Sequence, residues 1–148
     1  MKSSVYVIPL GVIFFLLTSF ALAEATEITP ADWFLKAGYG VFVHYLEGIQ
    51  NNADQLQSLG KETTWEECVR DFDTERFSTD VEASGAGYAI VTVMQISRFM
   101  IAPNATFDRI TGYQPGEACS TRDLIEDLYQ SLSKRNIKLM LYWTGDGP

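Results

Sequence analysis

Three segments of the 148-residue chain are almost continuously apolar, β-branched or aromatic: "YGVFVHY" at 39–45, "YAIVTVM" at 88–94 and "IKLMLYW" at 137–143. Each predicts a strand. The second has almost no polar alternation, which points to burial on both faces, as in a parallel sheet covered by helices. Between the strands the pattern turns helical. In "FDTERFSTDVEASG", Asp73 is placed to cap a helix, Phe72 and Phe77 stand at the two staple positions, and Gly85 and Gly87 punctuate the end. In "STRDLIEDLYQSLSKRN", Ser120 or Thr121 can cap and Asp123 sits in the positive first turn. Leu124, Ile125, Leu128, Tyr129 and Leu132 form one apolar stripe, and Lys134 and Arg135 meet the negative end of the helix dipole. The order strand, helix, strand, helix, strand predicts an α/β fold of parallel strands joined by right-handed crossovers.

The connections are asymmetric. The helix-to-strand returns, "SGAG" and "RN", are minimal, whereas the strand-to-helix stretches 46–72 and 95–119 far exceed the usual connection of about 4–6 residues. Loops of that length are usually functional, and these follow the carboxyl ends of strands, where α/β folds place their sites. His44, the one histidine, ends the first strand. It either caps a core strand with its nitrogens satisfied locally or lines a site at the strand's end. No Gly-rich loop follows that strand, which argues against a nucleotide site of the Rossmann kind.

Lys2, the apolar run "VYVIPLGVIFFLLTSF" and the small residues "ALA" at 21–23 make the three-part pattern of a secretory signal peptide. A membrane anchor is the alternative, disfavoured because the apolar run is short and a cleavage-like motif follows it. Residues 1–23 are therefore expected to be removed, leaving 24–148 as one exported domain, secreted or periplasmic and not membrane-bound. The net charge is −8, and losing Lys2 makes the remainder more acidic still. Such a surface repels nucleic acid and anionic membranes, because phosphate binding needs clustered Lys and Arg. A neutral ligand such as a sugar fits better. No metal or cofactor is implied, and the sequence sets no oligomeric state. Cys68 and Cys119 would sit in an oxidising compartment, where they either pair or remain thiols.

The string "WFLKAGYGVFVHYL" resembles the opening of the α-L-fucosidase family of glycoside hydrolases, whose first barrel strand reads much like W-F-x-x-A-K-F-G-I-F-I-H-W-G. Trp33, Phe34, Ala37, Gly40, Phe42 and His44 match, while Tyr45 stands for Trp and Leu46 for Gly. The likeness continues through "FDTERF", "ASGAGYAIVTV" and "TRDLIEDLYQSLSKRNIKLMLYW", covering most of residues 33–143 in order. It implies the first three βα units of a (β/α)₈ TIM barrel, incomplete in this chain, and a retaining hydrolase that releases terminal fucose from glycans. It also gives His44 the role of bonding sugar hydroxyls, which a neutral imidazole suits with one donor and one acceptor nitrogen.

The departures are specific. Where the family carries H-H-D-G-F after its second strand, this chain reads "QISRF". Gln95 and Ser97 can still donate and accept, Ile96 cannot, and Arg98 replaces a glycine. A changed sugar specificity or lost catalysis follows from this. The family's nucleophilic aspartate and acid/base glutamate lie on later parts of its chain, so no catalytic residue is assigned here. Glu66 and Asp146 both follow strands and could reach the same rim. Retaining hydrolysis needs two carboxyl groups roughly 5 Å apart, and solvated loop acids are the plainer reading of both. Trp65 offers a flat face to a sugar ring, and Trp143 reads as barrel packing. "NAT" at 104–106 is a glycosylation acceptor in a eukaryotic host and otherwise a polar loop. Within a barrel, Cys68 and Cys119 lie on loops of one face, where a disulfide would pin the loops together.

The substrate-binding set expected is therefore His44, Gln95, Ser97, Trp65 and Glu66, with a carbohydrate as partner. The rival readings are a non-catalytic, exported sugar-binding or interaction protein on a degenerate barrel fragment, and a small self-contained α/β domain. Two crossover helices can cover one face of three strands. The opposite face is expected to expose alternate residues of "VFVHY", "AIVTV" and "LMLYW".

Overall fold

The computed structural model describes residues 31–50, 63–95 and 98–144; the expected leader at 1–23, Ser97 and Asp146 lie outside them. In chain order the elements are α1 (Asp32–Ala37), β1 (Gly40–Val43), α2 (Glu47–Gln50), α3 (Trp65–Arg70), α4 (Thr74–Ser84), β2 (Tyr88–Met94), α5 (Ala105–Thr111), α6 (Leu124–Ser133) and β3 (Lys138–Trp143). The three strands pair in parallel in the order β1-β2-β3. Gly40 lies opposite Tyr88 and Val43 opposite Val91, and an irregularity between Thr92 and Met94 sets Met94 opposite Trp143. A Cβ on Gly40 would stand 2.2 Å from the Tyr88 ring, so this position in β1 has no room for a side chain. Among the described residues no helix is long and apolar enough to cross a membrane.

The α/β order matches the sequence reading, with β1 ending earlier, at Val43, so that His44 is the first residue beyond the strand. Helix α4 is built as its sequence implies. The Asp73 carboxylate caps it by accepting from the Arg76 N–H, the Phe72 and Phe77 rings sit 5.6 Å apart, and Gly85 closes it in the left-handed conformation at φ 81°. Helix α6 corrects its expected cap. Asp123 accepts from the Glu126 N–H, because the Leu124 amide is held by the Ile101 carbonyl and that pins the helix start later than Ser120 or Thr121. Within its stripe Leu124, Leu128 and Leu132 are fully buried, while Tyr129 is 54% exposed and leaves the core.

The long connections are not bare loops. The first holds α2 and α3, and α3 opens with a capping box: Thr64 accepts from the Glu67 N–H while the Glu67 carboxylate accepts from the Thr64 N–H. The second holds α5, capped by Asn104 and closed by Gly112 at φ 82°.

One face of the sheet is covered. Ala89 and Val91 of β2 pack with Trp65, Cys68, Val69, Val81, Ile101, Leu124, Leu128 and Leu132 into the main core, flanked by Val41 and Leu139. Glu75 and Glu82 of α4 bind Arg135 beyond α6, tying the two helices together. The other face stays open at its flanks, with Phe42 48% and Tyr142 36% exposed. The centre departs from expectation: Thr92 is fully buried and Ile90 half-buried, because a central strand is flanked on both sides.

Candidate functional site

Parallel strands share one rim at their carboxyl ends. His44 follows β1 and Gln95 follows β2; the pairing of Val43 with Val91 sets His44 level with Thr92, and the Gln95 side chain, three residues on, brings its Oε1 to 2.9 Å from His44 Nδ1. Thr92, buried in β2, brings its hydroxyl within 3.2 Å of the same nitrogen. Phe42 lies two residues before His44, hence on the same face of the pleat, and its ring sits 4.3 Å from the imidazole. Tyr142 meets both rings edge-on, at 5.1 Å from Phe42 and 6.0 Å from His44. His44 is exposed, with Nδ1 held locally by Gln95 and Thr92. The strands thus present an open imidazole, a side-chain amide and two aromatic rings on one surface. Among the described residues no Asp or Glu bonds to His44, and no group of three or more His, Cys, Asp and Glu could hold a metal ion.

Tyr45 alternates to the helical side. Its hydroxyl donates to the Cys68 carbonyl at 2.8 Å, and its ring packs 5.6 Å from Trp65 and 5.0 Å from Phe72. Burial first, then the Cys68 and Asp71 charges, push that hydroxyl well above the usual phenol range.

Two expected sugar contacts are corrected. Trp65 is 3% exposed and its indole N–H donates to the Met100 carbonyl at 2.8 Å, so it is core and offers no stacking surface. The Glu66 carboxylate accepts from the Thr121 N–H at 2.9 Å and from the Thr121 hydroxyl, bracing the first rim loop against the second. Burial works to raise its pKa, but the bonds from Thr121 and Ser120 and the Arg70 charge outweigh it and hold the carboxyl below its usual range.

The disulfide is corrected as well. Cys68 and Cys119 are unbridged thiols, each buried in a different cluster, Cys68 with Trp65 and Val69, and Cys119 with Met94, Met100, Phe107 and Ala118. Burial and the neighbouring Asp108 carboxylate push the Cys119 thiol up to about 12, which keeps it protonated and unreactive. At the "NAT" motif, the Asn104 side-chain oxygen caps α5 by accepting from the Phe107 N–H, and its amide nitrogen donates to the Met100 sulfur. That amide is spoken for in the folded protein. Trp143, read as packing, is 46% exposed. Arg98 is exposed and holds φ 63°, a left-handed conformation that favours glycine, which the resemblance places at that position.

Sequence reasoning missed Arg122. Its guanidinium donates to the carbonyls of Val69, Arg70 and Phe72 at 2.9 Å each, to the Thr74 hydroxyl at 2.8 Å and to Asp127 at 2.7 Å. It fixes the end of α3 to the start of α4 from beneath the second rim loop. Its place just before an acidic helix start was the only available signal.

No protein-family model matches the chain, and no curated protein matches it in sequence. Solved structures do match in fold. A Thermotoga maritima α-fucosidase in complex with fucose superposes with a TM-score of 0.53 at 18% identity, over 76% of this chain and 34% of that one. A bacterial fucosidase with a monovalent iminocyclitol inhibitor gives 0.53 at 16% identity, over 82% and 31%. An α-L-fucosidase gives 0.52 at 17%, over 76% and 34%. The chain therefore has a distant fucosidase-like α/β fold, and it spans about a third of the length of these structures.

Proposed function

We propose that this chain forms the first three βα units of an exported, fucosidase-like glycoside-hydrolase barrel and supplies one wall of a site for a neutral sugar. The observation that carries the reading is the meeting of His44 and Gln95 at the ends of adjacent parallel strands, 2.9 Å apart and beside the exposed rings of Phe42 and Tyr142. A polar pair that exchanges hydrogen bonds with hydroxyls, set beside apolar rings, suits a pyranose, which has polar edges and flatter apolar faces. A net charge of −8 favours a neutral ligand over an acidic one. The test is the equilibrium affinity of the intact protein for L-fucose and other neutral monosaccharides, before and after His44→Ala. Loss of one hydrogen bond predicts roughly tenfold weaker binding with melting temperature nearly unchanged. Unaltered binding with a melting temperature several degrees lower would make His44 a structural residue instead.

The second reading, sugar binding without hydrolysis, is favoured by one observation. Glu66, the rim carboxylate nearest to a catalytic role in the sequence, is committed to Thr121. Fucose release by the intact protein, measured beside binding, separates the two readings.

A further inference from the structure

The imidazole of His44 is not symmetric in its surroundings. Its two polar neighbours among the described residues, Gln95 Oε1 at 2.9 Å and Thr92 Oγ1 at 3.2 Å, converge on Nδ1. A carboxamide oxygen can only accept, whereas a hydroxyl can turn to donate or accept. Gln95 therefore decides the arrangement. At 2.9 Å its oxygen would face a lone pair, and repel it, unless Nδ1 carries the proton. With Nδ1–H donating to Gln95, Thr92 adapts by rotating its hydroxyl to share that proton. Thr92 is fully buried in the central strand and Gln95 is half-buried, so this frame is more rigid than the exposed ring it holds.

We propose that Gln95, seconded by Thr92, is a positioning residue that locks His44 as the Nδ1–H tautomer and so presents the Nε2 lone pair to the ligand. Among the described residues Nε2 has no hydrogen-bond partner. The site thereby reads a hydrogen-bond donor, a sugar hydroxyl, and disfavours a carboxylate, which would need a donor at that atom. This rests on the sugar-site reading for the ligand and on nothing but local geometry for the tautomer. It also gives Gln95 a different task from the one expected of it, since its oxygen serves the histidine rather than the sugar.

His44 is the one histidine in the chain, so its ring nitrogens are assigned without ambiguity. Long-range ¹H–¹⁵N correlation spectra of the intact protein at about pH 9, where imidazoles carry a single proton, report which nitrogen holds it. The wild-type protein should show the proton on Nδ1. Gln95→Leu should move the population toward Nε2–H, the form favoured by an unconstrained side chain, while Gln95→Glu, which keeps an accepting oxygen, should hold Nδ1–H. A wild-type ring protonated on Nε2, or a Gln95→Leu ring unchanged on Nδ1, overturns the assignment. Either result is obtained without any sugar. Failure of the tautomer thus stays separate from failure of sugar binding.

Discussion

Glu66 and Thr121 are 55 positions apart in sequence, yet the Glu66 carboxylate takes both the backbone N–H of Thr121, at 2.9 Å, and its hydroxyl. The pair fastens the connection after β1 to the connection after β2, beside the rim that carries His44 and Gln95. Glu66→Ala removes the acceptor of two charge-assisted bonds and should cost about 2 kcal/mol. Chemical denaturation checks the value. An undiminished stability would mean that the rim is held elsewhere.

Arg122 should matter more. Removing its guanidinium leaves the carbonyls of Val69, Arg70 and Phe72 without their shared donor. Arg122→Ala is expected to destabilise by about 3 kcal/mol, and Arg122→Lys should recover little, because an ammonium cannot reproduce the planar fork. Thermal unfolding of the two variants side by side is the check.

Glu67 sets an acid limit on the start of α3. Hydrogen bonds from the Thr63 hydroxyl and from the Thr64 amide and hydroxyl lower its carboxyl from 4.5 to about 2. A depressed acid stabilises the fold above its unfolded value and loses that contribution as pH falls through its folded one. The α3 cap should therefore hold at pH 5 and weaken between about pH 4.5 and 2. NMR titration of the Glu67 carboxyl should show a midpoint near 2, and a midpoint at the ordinary value would mean that the capping box does not form in solution.

The two cysteines should remain thiols in the folded protein. Alkylation without reductant should modify both after denaturation and neither before it, since each is buried. A mass two hydrogen atoms lower, with no alkylation after unfolding, would show a bridge and contradict the separate clusters that hold them.

The parts of the fold legible in the sequence were those with a local cause. Asp73 capping α4 and the Phe72–Phe77 staple need only neighbouring residues, and β2 announces itself by seven consecutive residues with no charge. His44 and Gln95 could be brought together from sequence because parallel strand ends must share a rim. The errors fall where a distant partner decides. Trp65 reads as a platform until the Met100 carbonyl captures its indole, and Glu66 reads as a rim acid until Thr121 binds it. The α3 capping box is a local signal, carried by "TWEE"; the Arg122 clamp is not, since the carbonyls it binds lie 50 to 53 positions away.

The central claim is that the face bearing His44, Gln95, Phe42 and Tyr142 receives a neutral sugar. The most direct measurement is the movement of the His44 ring resonances as L-fucose is titrated into the intact protein. Saturable shifts are expected at His44, accompanied by shifts of the Phe42 and Tyr142 rings that contact it, with the midpoint for all three moved to higher fucose concentration by Gln95→Leu. Saturable binding that leaves the His44 ring unmoved, or no binding of any neutral monosaccharide at tens of millimolar, would contradict it.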